Sequence, residues 1–207
     1  RRQRQMCIRD RAYREQHGRV ERGAYPAILT SASAHFSIAR AAVAAGLGTD
    51  AVVHIRTDAH GRMDVRELER MCAEMQADAA HPQGVPLIVC ATSGTTVLGA
   101  FDDVAAIAEV CRKYDLWLHV DASWGGAAAF LPHDAPERSV LAGLENAHSI
   151  TINPHKLLGV THQCSFLLVH DKSVLIPPSH SDGGYLFHVP AEDALDMATK
   201  TLGCGRR

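Results

Sequence analysis

The chain has 207 residues, 46% of them hydrophobic and 21% charged, with a formal net charge of -2 at neutral pH. This is the composition of an ordinary globular protein holding one domain or a large part of one, and it supplies no basic field for nucleic acid or an anionic membrane surface. No run of eighteen apolar residues occurs, so no membrane-spanning helix is expected.

Residues 1–11, RRQRQMCIRDR, carry five arginines and no apolar periodicity. They read either as a basic arm for an acidic partner or as a non-native start, since residues 6–11 look like a translated sequencing adapter. The second reading is adopted. It sets residues 1–11 aside, takes 12–207 as part of one domain, and expects the natural protein to begin further upstream.

From residue 27 onward, short apolar runs alternate with amphipathic stretches. YPAILTS is a strand, followed by an Ala-rich helix in HFSIARAAVAAGLG that Gly46 and Gly48 stop. AVVHIRTD is a second strand. Residues 64–79 form a helix opened by Asp64, with Glu67 three positions on in a capping-box-like arrangement. PLIVCA is a fully apolar strand, TSGTTVLGAF a Gly/Thr loop, and DDVAAIAEVCRKYD a helix with aspartates at its start and basic residues at its end, as the macrodipole favours. LWLHVDAS and HSITINP are strands joined by an irregular Gly- and Pro-containing connection, and QCSFLLVHD is a further strand. Strands buried on both faces and separated by helices describe an α/β fold with a mostly parallel sheet flanked by helices, in which ligands bind where strands end.

The six cysteines, Cys7, Cys72, Cys90, Cys111, Cys164 and Cys204, are scattered without a C-x-x-C pair. Reduced, mostly buried thiols and a cytoplasmic location are expected.

Several residues at strand ends carry candidate chemistry. Lys156, in SITINPHKLLGV, has apolar neighbours, and a desolvated lysine is a nucleophilic amine able to form a Schiff base; the plain alternative is a surface lysine after a strand. Asp121, in LHVDASWGG, is either a turn cap or an anion facing a cation in a cleft. The loop around Thr96 offers hydroxyls and backbone N–H groups but lacks the G-K-[ST] of a P-loop. His35 is either a half-buried histidine or a ring lying flat on an aromatic ligand. Tyr185 falls in a Gly/Pro/Ser-rich stretch at 176–190 that reads as a long mobile loop. A different chemistry would use His119, Asp121 and His155 as metal ligands for hydrolysis.

The order of these segments is more specific than any one of them. H-x-S after a strand, A-T-S-G-T-T-x-x-G-A-F-D, W-L-H-V-D-A-x-W-G-G, N-P-H-K, G-Y-L-F and C-G-R, in that sequence, resemble the pyridoxal-phosphate-dependent group II amino-acid decarboxylases, and within them the glutamate and cysteine-sulfinate branch. The resemblance implies the large domain of the fold-type I architecture, with pyridoxal phosphate as cofactor and no metal. It implies that Lys156 binds the cofactor as a Schiff base, Asp121 pairs with the pyridinium nitrogen, and His35 stacks on the ring. Thr96 would line the cofactor site, Asn153 and His155 would contact the phosphate, and Tyr185 would protonate the substrate carbon. Ser123 stands where the family usually has alanine under the ring, and Gly203 where glutamine is common.

The implied reaction is decarboxylation of a small acidic L-amino acid, glutamate, cysteine sulfinate or aspartate, by a homodimer. Neither nucleic acid nor membrane is expected as a partner. The upstream phosphate-binding segment and a downstream small domain with a substrate-carboxylate arginine are not found in these residues. This chain by itself is therefore expected to be inactive, and an inactive or regulatory homologue is the alternative reading.

Overall fold

The computed structural model describes residues 26–78, 81 and 84–175. The chain divides into two compact units, Arg1–Leu168 and Val169–Arg207. In the second unit, Lys172–Leu175 forms a short 3-10 turn entered through Asp171, whose carboxylate accepts from the Ser173 amide and hydroxyl.

Six strands appear in chain order: β1 (Pro26–Ser31), β2 (Val52–Ile55), β3 (Val85–Thr92), β4 (Trp117–Asp121), β5 (Ser149–Ile152) and β6 (Phe166–Val169). The helices are α1 (Ser37–Ala44), α2 (Val65–Ala77) and α3 (Val104–Lys113). The sheet order is β2-β1-β3-β4-β5-β6, and the registers from β2 through β5 are all parallel. The connection between β4 and β5 is made of 3-10 segments, including Gly125–Phe130 and Pro136–Leu141.

Local chemistry explains the helix starts. The Asp64 side chain accepts from the amides of Arg66 and Glu67, and that of Asp103 from the amide of Ala106, so each satisfies donors that have no partner within the helix. The capping-box expectation at Asp64 is met on one side only. The Glu67 carboxylate turns outward to Arg70 at 2.7 Å and Arg56 at 3.6 Å, because two guanidiniums lie within its reach.

Burial at Leu68, Cys72 and Met75 places one stripe of α2 against the sheet, and Ile107, Ala108 and Cys111 do the same for α3. These pack on Leu29, Val53, Ile55, Val89, Leu118 and Val120 to form the main core. Burial pushes the Cys72 and Cys111 thiols up to about 12, so both are inert apolar fillers at neutral pH. The opposite face has a smaller apolar cluster of Ile28, Ala42 and Cys90 under α1. On that face β4 presents Trp117, His119 and Asp121, all half-buried, alternating with the core residues Leu118 and Val120. Among the described residues, no helix is long and apolar enough to cross a membrane.

Candidate active site

Strand order changes direction between β1 and β3, since β2 lies to one side of that pair and β4 and β5 to the other. In an open parallel sheet this is where carboxyl-end loops diverge and leave a crevice. A cavity of about 470 Å³ opens there, lined by His35 after β1, Thr92 and Thr96 from the end of β3 and its loop, Asp121 and Ser123 from β4, and Lys156 after β5. Five of the residues singled out from the sequence thus share one cavity, although 121 positions separate the first from the last.

The loop after β3 is clamped to the end of β4. The Ser93 amide donates to the Asp121 carbonyl at 2.9 Å, and the Gly125 amide donates back to the Ser93 carbonyl at 3.0 Å. The loop closes on itself where the Gly94 and Thr95 amides both donate to the Ala100 carbonyl and the Ala100 amide donates to the Thr95 hydroxyl. Gly94 has φ +92°, and a Cβ there would lie 2.9 Å from the Gly125 nitrogen; at Gly125 a Cβ would run into the Phe101 ring and the Ser93 carbonyl. The two backbones therefore touch only because both residues are glycine.

Asp102 anchors the same loop from below, a role that sequence reasoning missed. Its buried carboxylate accepts from the amides of Thr92 and Met63, each at 2.7 Å, and its own amide donates to the Thr92 carbonyl at 3.0 Å. Burial pushes the carboxyl up, opposed by the two backbone donors. The only signal in the sequence was an aspartate closing the T-S-G-T-T stretch. Asp102→Asn is expected to lower stability by about 1–3 kcal/mol, because the amide group can accept one of these bonds but turns an N–H toward the other donor. Urea unfolding measures this, and a midpoint equal to the parent's would show that the two bonds hold nothing in place.

Asp121 caps its turn and also lines the cavity. One oxygen accepts from the Ser123 amide at 3.0 Å, which caps the turn, while the carboxylate also faces the cavity. His35 accepts from the Ser37 amide on Nδ1 at 3.3 Å and packs on Phe36, with ring centroids 4.0 Å apart. A neutral His35 with Nδ1 accepting therefore carries its proton on Nε2. Thr96 is exposed at the loop tip beside Val97.

The expectation that Lys156 is shielded from solvent is corrected: the residue is exposed. Its apolar neighbours do not cover it, since Leu157 is 55% and Leu158 37% exposed, and they project from a series of turns rather than into the core. Apolar sequence neighbours bury a side chain only where the backbone folds them over it.

Asn153 and His155 do not line the cavity. The Oδ1 of Asn153 is buried without a hydrogen-bond partner among the described residues. The His155 ring turns to the backbone of Cys164, with Nδ1 3.1 Å from its nitrogen and 2.6 Å from its oxygen, so it ties the lysine turn to the next segment. His119 faces two hydroxyls through its two ring nitrogens. The described residues therefore do not assemble His119, Asp121 and His155 into a metal-ligand set. Tyr185, Gly203 and residues 1–11 lie outside the described residues.

A lysine and a carboxylate thus line one cavity at the carboxyl end of a parallel α/β sheet, the place where such folds hold their ligands. The pyridoxal-dependent decarboxylase conserved domain matches residues 4–207, and the chain belongs to that family. It is 45% identical over 184 residues to human cysteine sulfinic acid decarboxylase, covering 87% of this chain and 36% of the relative. It is 44% identical over 182 residues to the L-aspartate decarboxylase dtxS4 of Metarhizium robertsii, covering 87% and 35%. The solved structure of mouse CSAD superposes with a TM-score of 0.76 at 41% identity, covering 95% of this chain and 39% of that one. The fold is that of the fold-type I pyridoxal-phosphate enzymes, and the chain spans about a third of the length of the curated relatives it matches.

Proposed function

We propose that this chain carries the cofactor-holding part of a carboxy-lyase that removes carbon dioxide from a small acidic L-amino acid, with pyridoxal phosphate on Lys156. The observation that carries the reading is the meeting of Lys156 and Asp121 in one cavity with His35 on its wall. The residues present suit the cofactor: an amine that solvent can reach, a carboxylate for a ring cation, an imidazole able to lie on a ring, and, three residues before the lysine, a buried amide oxygen on Asn153 without a partner among the described residues. When bound, the cofactor supplies an electron sink for the pair left on the substrate carbon as carbon dioxide departs.

The protein's part is placement and charge. Lys156 gives the exchangeable amine, and its exposure leaves room for an incoming amino group to displace it. The free side of Asp121 would hold a bound cofactor's ring nitrogen protonated, since an opposite charge in contact shifts a pKa by roughly 1–3 units. The Ser123 amide on Asp121 orients that carboxylate, and the Ser123 hydroxyl adds a polar group where an alanine would leave none. His35 and the Thr96 hydroxyl would bound the ring from the β1 and β3 sides; Asn153 and His155, which stand outside the cavity lining, are assigned to the phosphate by the family resemblance, as Tyr185 is to protonation of the substrate carbon.

The acidic substrate class is supported by the relatives, two of which are named for L-aspartate and cysteine sulfinic acid. A homodimer in the cytoplasm is part of the same reading, supported by exposed apolar residues at the cavity rim such as Val97, 89% exposed, and by the four cysteines among the described residues, none of them in a disulfide there. The test uses the naturally encoded protein loaded with pyridoxal phosphate. Carbon dioxide release should occur with aspartate, cysteine sulfinate or glutamate and not with tryptophan; release only from an aromatic amino acid would overturn the substrate class.

A further inference from the structure

His119 takes no part in the chemistry proposed above, yet it stands on β4 two residues before Asp121 and on the same sheet face. A histidine in the middle of a parallel sheet needs partners for both ring nitrogens. Both are found on β5: Nδ1 lies 2.8 Å from the Ser149 hydroxyl and Nε2 3.4 Å from the Thr151 hydroxyl. The register explains this, because His119 pairs with Ser149 and Asp121 with Thr151. Trp117, two residues earlier on the same face, donates its indole N–H to the same Ser149 oxygen at 2.9 Å.

We propose that His119 is a positioning residue: as a neutral ring clasped by Ser149 and Thr151, it fixes the carboxyl end of β4 on β5 and leaves the Asp121 charge free for the cofactor's ring nitrogen. The inference rests on the cofactor reading above. The direction of the chain of bonds follows from Trp117. An indole N–H can only donate, so Ser149 accepts there and has its own proton to give to Nδ1; the proton on Nε2 then points to Thr151. Neither hydroxyl brings a charge that would hold the ring as a cation. Burial pushes the ring's pKa down, opposed by the Asp121 charge, and the net direction is down. A cationic ring at this position would itself neutralise Asp121, about 7 Å away along the strand. The clasp also joins the two strands that deliver Asp121 and Lys156, alongside their backbone pairing.

Two substitutions in the naturally encoded protein separate hydrogen bonding from packing. His119→Phe keeps the ring volume and loses both bonds, whereas His119→Asn loses volume, keeps a polar group facing Ser149 and can never be charged. Titration with pyridoxal phosphate, followed by the visible absorbance of the bound cofactor, should show at least about tenfold weaker binding and a displaced band for the Phe variant. The Asn variant should recover most of the affinity and the parent's band position. Ser149→Ala, which leaves the ring in place, should displace the band in the same direction as Phe, and thermal unfolding confirms that each variant is folded. A Phe variant that binds like the parent, or an Asn variant as impaired as Phe, overturns the proposal. A parent protein that binds no cofactor overturns the underlying cofactor reading instead.

Discussion

Lys156→Ala in the naturally encoded protein is expected to abolish both turnover and the covalent hold on pyridoxal phosphate. Lys156 is the lysine of the cavity lining, and a methyl group cannot form the bond that keeps the cofactor through dialysis. The exposure of Lys156 makes this a clean experiment: truncating an exposed side chain removes little packing, so the fold should survive with a thermal midpoint within a few degrees of the parent's. The measurement is the visible band after dialysis, followed by borohydride reduction and mass determination of the protein. Cofactor fixed to the Lys156→Ala protein would mean that another amine carries it, and the site would have to be reassigned.

Asp121→Asn is expected to separate the two roles of that residue. Asparagine retains the Oδ1 that accepts from the Ser123 amide, so the turn cap survives and unfolding should be little changed. What it removes is the charge proposed to face the ring nitrogen. A loss of 1–3 pKa units of support corresponds to about 1.4–4 kcal/mol, or roughly a tenfold to thousandfold fall in turnover. Steady-state kinetics with the best acidic substrate, alongside urea unfolding, reads both quantities. Unchanged turnover with unchanged stability would reduce Asp121 to a turn cap.

Much of this protein's local structure was determined by its sequence alone. The six strands and three helices of the described residues follow from runs such as VPLIVCAT and from the spacing of Leu68, Cys72 and Met75, because side-chain period and burial are consequences of backbone geometry. The helix starts at Asp64 and Asp103 were legible for the same reason: a cap acts on amides two or three residues away. The order of H-x-S, T-S-G-T-T, H-V-D-A and N-P-H-K likewise identified the family without coordinates.

Only the tertiary structure decided what lies beside what. His35 and Lys156 share a cavity because β1, β3, β4 and β5 are neighbours in the sheet, and strand order leaves no mark on local periodicity. The capture of the Met63 amide by Asp102 spans 39 positions, and the contact between Gly94 and Gly125 exists only once two loops are pressed together. The clasp of His119 by Ser149 and Thr151 depends on a register between strands 30 residues apart. Apolar neighbours suggested a shielded Lys156, whereas the chain's path leaves it at the mouth of the cavity. Burial and pairing are properties of the space around a residue, and that space is filled by segments distant in the chain.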